Sequence, residues 1–82
     1  MSEAITPDVT VDARGAACPG PLMDLIGKIK TADPGTVVEL KTTDSSSSTD
    51  VPEWIEKAGH DLLEIVEHDE EDYWSIYVEK TE

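Results

Sequence analysis

Apolar residues along the chain switch between two periods, and the switches mark out six elements. Val9, Val11 and Ala13 alternate with Thr10 and Asp12, the period of a strand with one buried face. Leu22, Leu25, Ile26 and Ile29 follow i, i+3, i+4, i+7 spacing, which predicts a helix from about Pro21 to Ala32. Pro21 suits the first helical position, where its missing N–H costs nothing. Asp33-Pro34-Gly35 stops the helix and turns the chain. Gly27 is a mild liability inside this helix, which close packing against a sheet would explain, as would chance.

Thr36 to Lys41, with Val37, Val38 and Leu40, reads as a second strand. Ser45 to Ser48 in isolation has the composition of a flexible linker, but it is short and leads into helical spacing at Val51, Trp54, Ile55 and Ala58. That second helix starts between Ser46 and Asp50. Asp50 and Glu53 have capping-box spacing, and Pro52 calls for a place in the first turn. Gly59 reads as the stop.

Leu62 to Glu67 reads as a third strand, with Leu63 and Ile65 on one face and Leu62 and Val66 on the other. Both faces are apolar, so this strand is either well covered or packs a partner. After the charged turn His68 to Asp72 comes a fourth strand, Tyr73 to Glu79. It puts Trp74, Ile76 and Val78 on one face and Tyr73, Ser75 and Tyr77 on the other. The order is βαβαββ. Two strand–helix pairs imply parallel neighbours, and the last two strands a hairpin. The expected fold is an α+β two-layer sandwich: a four-stranded mixed sheet with two helices on one face. Residues 1–7 are expected to fray, leaving 8–82 as a single domain.

Composition narrows the function. An 82-residue chain can bury only a thin core. Its one cysteine excludes an internal disulfide, no Cys/His spacing suits zinc, and neither a metal nor a cofactor is expected. With 19 acidic residues against 6 Lys and Arg, the net charge is −13. Direct binding to nucleic acid or to an anionic membrane is disfavoured, because phosphates need a basic footprint. The acids are spread along the whole chain, which fits the general acidic bias of salt-adapted proteins better than one face for a basic partner. The N-terminus has no signal-peptide pattern, and no apolar run approaches membrane-spanning length. A cytoplasmic monomer is the expectation.

The candidate chemistry is at Cys18, followed by Pro19, Gly20 and Pro21 and directly by the first helix. Pro19 biases Cys18 away from helical angles, and Gly20 permits unusual dihedrals or a close approach. A thiol just ahead of a helix N-terminus meets free N–H groups and the positive end of the helix dipole, which favour the reactive thiolate. Arg14, four residues upstream, could add positive potential. The bland alternative is a buried, unreactive cysteine, and pattern alone divides the two about evenly. His60 reads as a structural hydrogen-bonding residue after the second helix, and His68 as an exposed hairpin residue. The acidic turn Asp69 to Asp72 lacks the alternating spacing of a calcium loop.

Cys18-Pro19-Gly20-Pro21 resembles the CPxP motif of the TusA/SirA family of small sulfur-carrier proteins. Val11-Asp12-Ala13-Arg14-Gly15, Asp33-Pro34-Gly35, Asp50-Val51-Pro52 and Gly59-His60-Asp61-Leu62 resemble the family's other boundaries, in the right order. The resemblance implies the βαβαββ sandwich and a persulfide relay. A sulfur donor such as a cysteine desulfurase would load sulfur on Cys18, which would pass it to a downstream acceptor protein, in routes such as tRNA thiolation or cofactor biosynthesis. The segment Thr43 to Thr49 departs from the paired acids that relatives often carry there. The alternative from a different class is a non-catalytic regulatory or interaction module on the same scaffold, signalled by a buried, alkylation-resistant thiol.

Overall fold

The computed structural model of the chain describes residues 6–15 and 20–81. Cys18 and Pro19 lie outside the described residues, as does most of the segment 1–7. The elements are β1 (Val9–Asp12), α1 (Gly20–Thr31), β2 (Val37–Thr42), α2 (Ser47–Ala58), β3 (Asp61–His68) and β4 (Tyr73–Glu79). The sheet order is β1-β2-β4-β3, with β1 parallel to β2 and the β2–β4 and β4–β3 pairs antiparallel. The first strand–helix–strand unit therefore yields parallel neighbours. The second does not, because the closing hairpin inserts β4 between β2 and β3.

Both helices pack on the sheet, α1 against β1 and β2, α2 against β3 and β4. The core is where the two periods meet. Leu25 and Ile29 of α1 and Val51 and Ile55 of α2 bury against Val38, Leu40, Ile76 and Val78 of the two central strands. This follows from alternation: Val38 pairs with Val78 and Leu40 with Ile76, so four aliphatic side chains share one face at the centre of the sheet.

Four local readings change, while the serine run leads into α2 as expected and forms no linker. Successive bonds from the N–H groups of Ser47, Ser48 and Thr49 to the carbonyls of Asp44, Ser45 and Ser46 wind it into the entry of α2, and Ser47 is fully buried. The helix thus begins at Ser47, Asp50 is not its cap, and Pro52 sits in the second turn. There it costs α2 one i→i−4 bond. Gly27 is exposed with open space where a Cβ would stand, so close packing does not account for it.

The fourth change matters most for the surface. A register irregularity between Leu62 and Glu64 sets Leu62 opposite Val78 and Ile65 opposite Ile76, on the helix-facing side. One extra residue flips the alternation, so Leu62 and Ile65, not Leu63 and Ile65, share a face. Nor is the strand well covered: Leu62, Leu63 and Ile65 are 41%, 39% and 39% exposed. Gly59, in the left-handed region at φ 85°, ends α2 as expected; its N–H bonds the Glu56 carbonyl and the next N–H bonds that of Ile55.

Candidate functional site

The candidate site is the junction between β1 and α1. On the strand side the chain is held firmly. The Ala13 N–H donates to the Lys41 carbonyl at 2.8 Å, and the Gly15 N–H to Thr43 Oγ1 at 2.8 Å. Gly15 has φ 91°, which only glycine adopts without strain, so its identity fixes the exit from the strand. On the helix side α1 opens at Gly20, and Pro21 is fully buried in the first turn. That turn contains no acidic residue, while Lys28 and Lys30 occupy the last turn. The lysines complement the negative end of the helix, and no carboxylate in the first turn offsets the positive end. Between these two anchors the sequence runs Ala16, Ala17, Cys18, Pro19, outside the described residues.

Arg14 turns toward Asp12. Its Nε and Nη2 each donate to a carboxylate oxygen at 2.8 Å, a two-pronged pair, and the backbone N–H adds a bond of 3.2 Å. Its guanidinium carbon stands 5.1 Å from the centre of the Tyr73 ring, and Lys41 Nζ lies 5.8 Å from the same ring. Two of the chain's six Lys and Arg residues thus meet at one end of the helix-free face. The side-chain bonds from Arg14, then its backbone N–H, bring Asp12 down from 3.8 to about 2, and Asp12 in turn pushes the Arg14 guanidinium up. A lowered carboxylate stabilises the fold above its unfolded value. That contribution is complete above about pH 4 and fades as pH falls through about 2. In Arg14→Ala, which keeps the backbone N–H bond, the Asp12 carboxyl should rise from about 2 toward 3.8, as read by NMR of the side-chain carbon. A value still near 2 would show that the pair is not the cause.

Sequence reasoning missed a second polar cluster on the same face. Glu39 is a carboxylate only 8% exposed in the middle of β2. Ser75 Oγ donates to its Oε2 at 2.8 Å, Tyr77 Oη to the same oxygen at 3.3 Å, and Thr10 Oγ1 to Oε1 at 3.4 Å. Ser75 is fully buried, and His68 Nε2 stands 2.9 Å from its oxygen. The serine proton is committed to the carboxylate, so Nε2 must carry the proton that His68 donates. The His68 ring stacks on Tyr73 at 4.3 Å. His68 is therefore no free hairpin residue; it links Glu39 and Ser75 to Tyr73 and, through it, to Arg14. Burial, and then the charge of Glu39, pushes the Tyr77 hydroxyl above its ordinary value of 10.0. The signal was in the chain: Tyr73, Ser75 and Tyr77 alternate onto one face, but only the β2–β4 register reveals that Glu39 lies among them.

His60 behaves as expected, accepting the Thr81 N–H on Nδ1 at 3.2 Å. Among the described residues, no three His, Cys, Asp or Glu side chains gather as a metal-holding group. No helix of the described chain is long and apolar enough to cross a membrane.

Fold and junction together define a two-layer βαβαββ domain whose single cysteine falls, in sequence, between the first strand and the first helix. Residues 9–80 match the family model described as sulfurtransferase TusA, and the chain belongs to that family. A protein of Archaeoglobus fulgidus with a provisional sulfur-carrier name is 54% identical over 72 residues, covering 88% of this chain and 96% of the relative. The sulfur carrier protein TusA of Pseudomonas syringae is 32% identical over 78 residues, covering 95% and 90%. The crystal structure of a SirA-like protein from Desulfitobacterium hafniense superposes with a TM-score of 0.78 at 23% identity, covering 90% of this chain and 99% of that one. It shares the fold.

Proposed function

We propose that this chain is a sulfur carrier that accepts sulfane sulfur as a persulfide on Cys18 and relays it to a downstream acceptor, in tRNA thiolation or the making of a sulfur-containing cofactor. The observation that carries the reading is Cys18-Pro19-Gly20-Pro21 at the β1–α1 junction, inside the family match over residues 9–80. The acid-free first turn of α1 supports it, because an anionic sulfur ahead of that turn meets no carboxylate from it.

The chemistry is an exchange on sulfur. The Cys18 thiolate attacks the outer sulfur of a donor persulfide, such as that on a cysteine desulfurase. One S–S bond forms, the donor's S–S bond breaks, and the donor cysteine leaves as a thiolate. The outer sulfur keeps its oxidation state, so no oxidant or reductant is consumed. Delivery repeats the exchange with the acceptor's thiolate as nucleophile and Cys18 as leaving group, and a low thiol pKa helps that departure. Pro19, Gly20 and Pro21 would set the backbone at the helix entry, and Arg14, already committed to Asp12, would add background potential. We place this relay in the cytoplasm.

Incubation with a cysteine desulfurase and cysteine, followed by intact-mass analysis, should show one added sulfur atom, lost on reduction and absent from Cys18→Ser. A wild-type chain that takes no sulfur from desulfurase or polysulfide would overturn the reading and return the non-catalytic module to first place.

A further inference from the structure

Between α2 and the start of β3 lies a cavity of about 400 Å³, apart from the β1–α1 junction. Pro52, Ile55 and Leu62 give it an apolar lining, and Glu53, Glu56 and Asp61 an acidic one; no Lys or Arg lines it. Beside it runs β3, which among the described residues is an edge strand paired only to β4, with Leu62, Leu63 and Ile65 well exposed. Exposed apolar edge strands are a liability that natural proteins blunt with lysine, proline or a covering element. Here the register irregularity turns Leu62 toward the groove, and neither helix closes over it.

We propose that this groove docks a partner protein through a segment carrying an aliphatic or aromatic anchor flanked by Lys or Arg. Charge selects the occupant. Three acids around an apolar floor attract cations and repel phosphates, so nucleic acid and anionic lipid do not fit. A second copy of this chain, at net −13, would bring carboxylates to carboxylates. An apolar anchor fills the space over Pro52, Ile55 and Leu62, and flanking cations meet Glu53, Glu56 and Asp61. The inference stands apart from sulfur chemistry: the groove would hold the partner whichever way sulfur moved.

The test uses the full, isotope-labelled chain and a peptide of about a dozen residues alternating Leu and Lys, at about 0.15 M salt. The amides of residues 53–56 and 60–62 should shift saturably. The double substitution Glu53→Lys, Glu56→Lys should weaken binding at least about tenfold. Asp69→Lys with Glu70→Lys makes the same charge change on exposed hairpin residues and should cost less than about threefold. Leu62→Ser, at an exposed position, should also weaken binding. Equal losses from the two charge reversals, shifts spread over the surface, or no binding at millimolar peptide would overturn the proposal. Polysulfide loading of Cys18, followed by mass on the same variants, should be unchanged, which keeps a failed groove distinct from a failed carrier.

Discussion

Leu40→Ala should destabilise the domain by about 2–5 kcal/mol, because it removes most of a fully buried side chain and leaves a cavity that close-packed neighbours cannot fill. Leu40 sits at the centre of β2, opposite Val11 on β1 and Ile76 on β4. Collapse around the hole would have to distort both neighbouring strands, so the cost belongs to the upper half of that range. A domain of this size holds only about 5–15 kcal/mol in all, so the loss is a large share of the total and the unfolded fraction should rise by orders of magnitude. Urea unfolding should show a lower midpoint with an unchanged slope. The same truncation at the exposed Leu62 should cost no more than about 1 kcal/mol. Equal costs at the two positions would mean that the core is not where the sheet and helices place it.

The second large effect is expected from a hydroxyl. Ser75→Ala removes one oxygen, yet that oxygen donates to Glu39 and accepts from His68. Its loss leaves a nearly buried carboxylate oxygen with only the longer Tyr77 bond, and removes the hydrogen bond at His68 Nε2 while the stack on Tyr73 remains. An unsatisfied buried group costs about 1–3 kcal/mol, more when it is charged. Because the two residues act through one network, Ser75→Ala combined with Glu39→Ala should cost less than the sum of the single changes, with a coupling of about 0.5–3 kcal/mol. Strict additivity in a double-mutant cycle would show that the bonds between β2 and β4 do not act together.

Much of this fold was legible because its periods are clean. The alternation in Tyr73 to Glu79 and the i, i+3, i+4, i+7 spacing in α1 locate those elements within a residue or so. What failed to read was whatever depends on partners distant in sequence. The irregularity at Leu62–Glu64 is set by pairing with β4, so simple alternation put Leu62 on the wrong face. The His68–Ser75–Glu39 chain spans a hairpin and a crossover, and no local spacing marks it. The start of α2 fell inside the expected Ser46–Asp50 range, but the exact residue and its cap could not be read, because serine and aspartate bond equally well to turns and to helix ends. In the candidate site, Arg14 could be named but not aimed: its direction is decided by Asp12 two residues away and by Tyr73 across the sheet.

Reactivity of Cys18 as a function of pH, in the folded chain and in urea, weighs the central claim most directly. Alkylation rate should rise with a midpoint at least about one unit below the ordinary cysteine value of about 8.5 when folded, and return to that value when unfolded. If the folded midpoint is ordinary or higher, or the native thiol resists the reagent altogether, the fold does not activate this sulfur atom and the relay has no starting point.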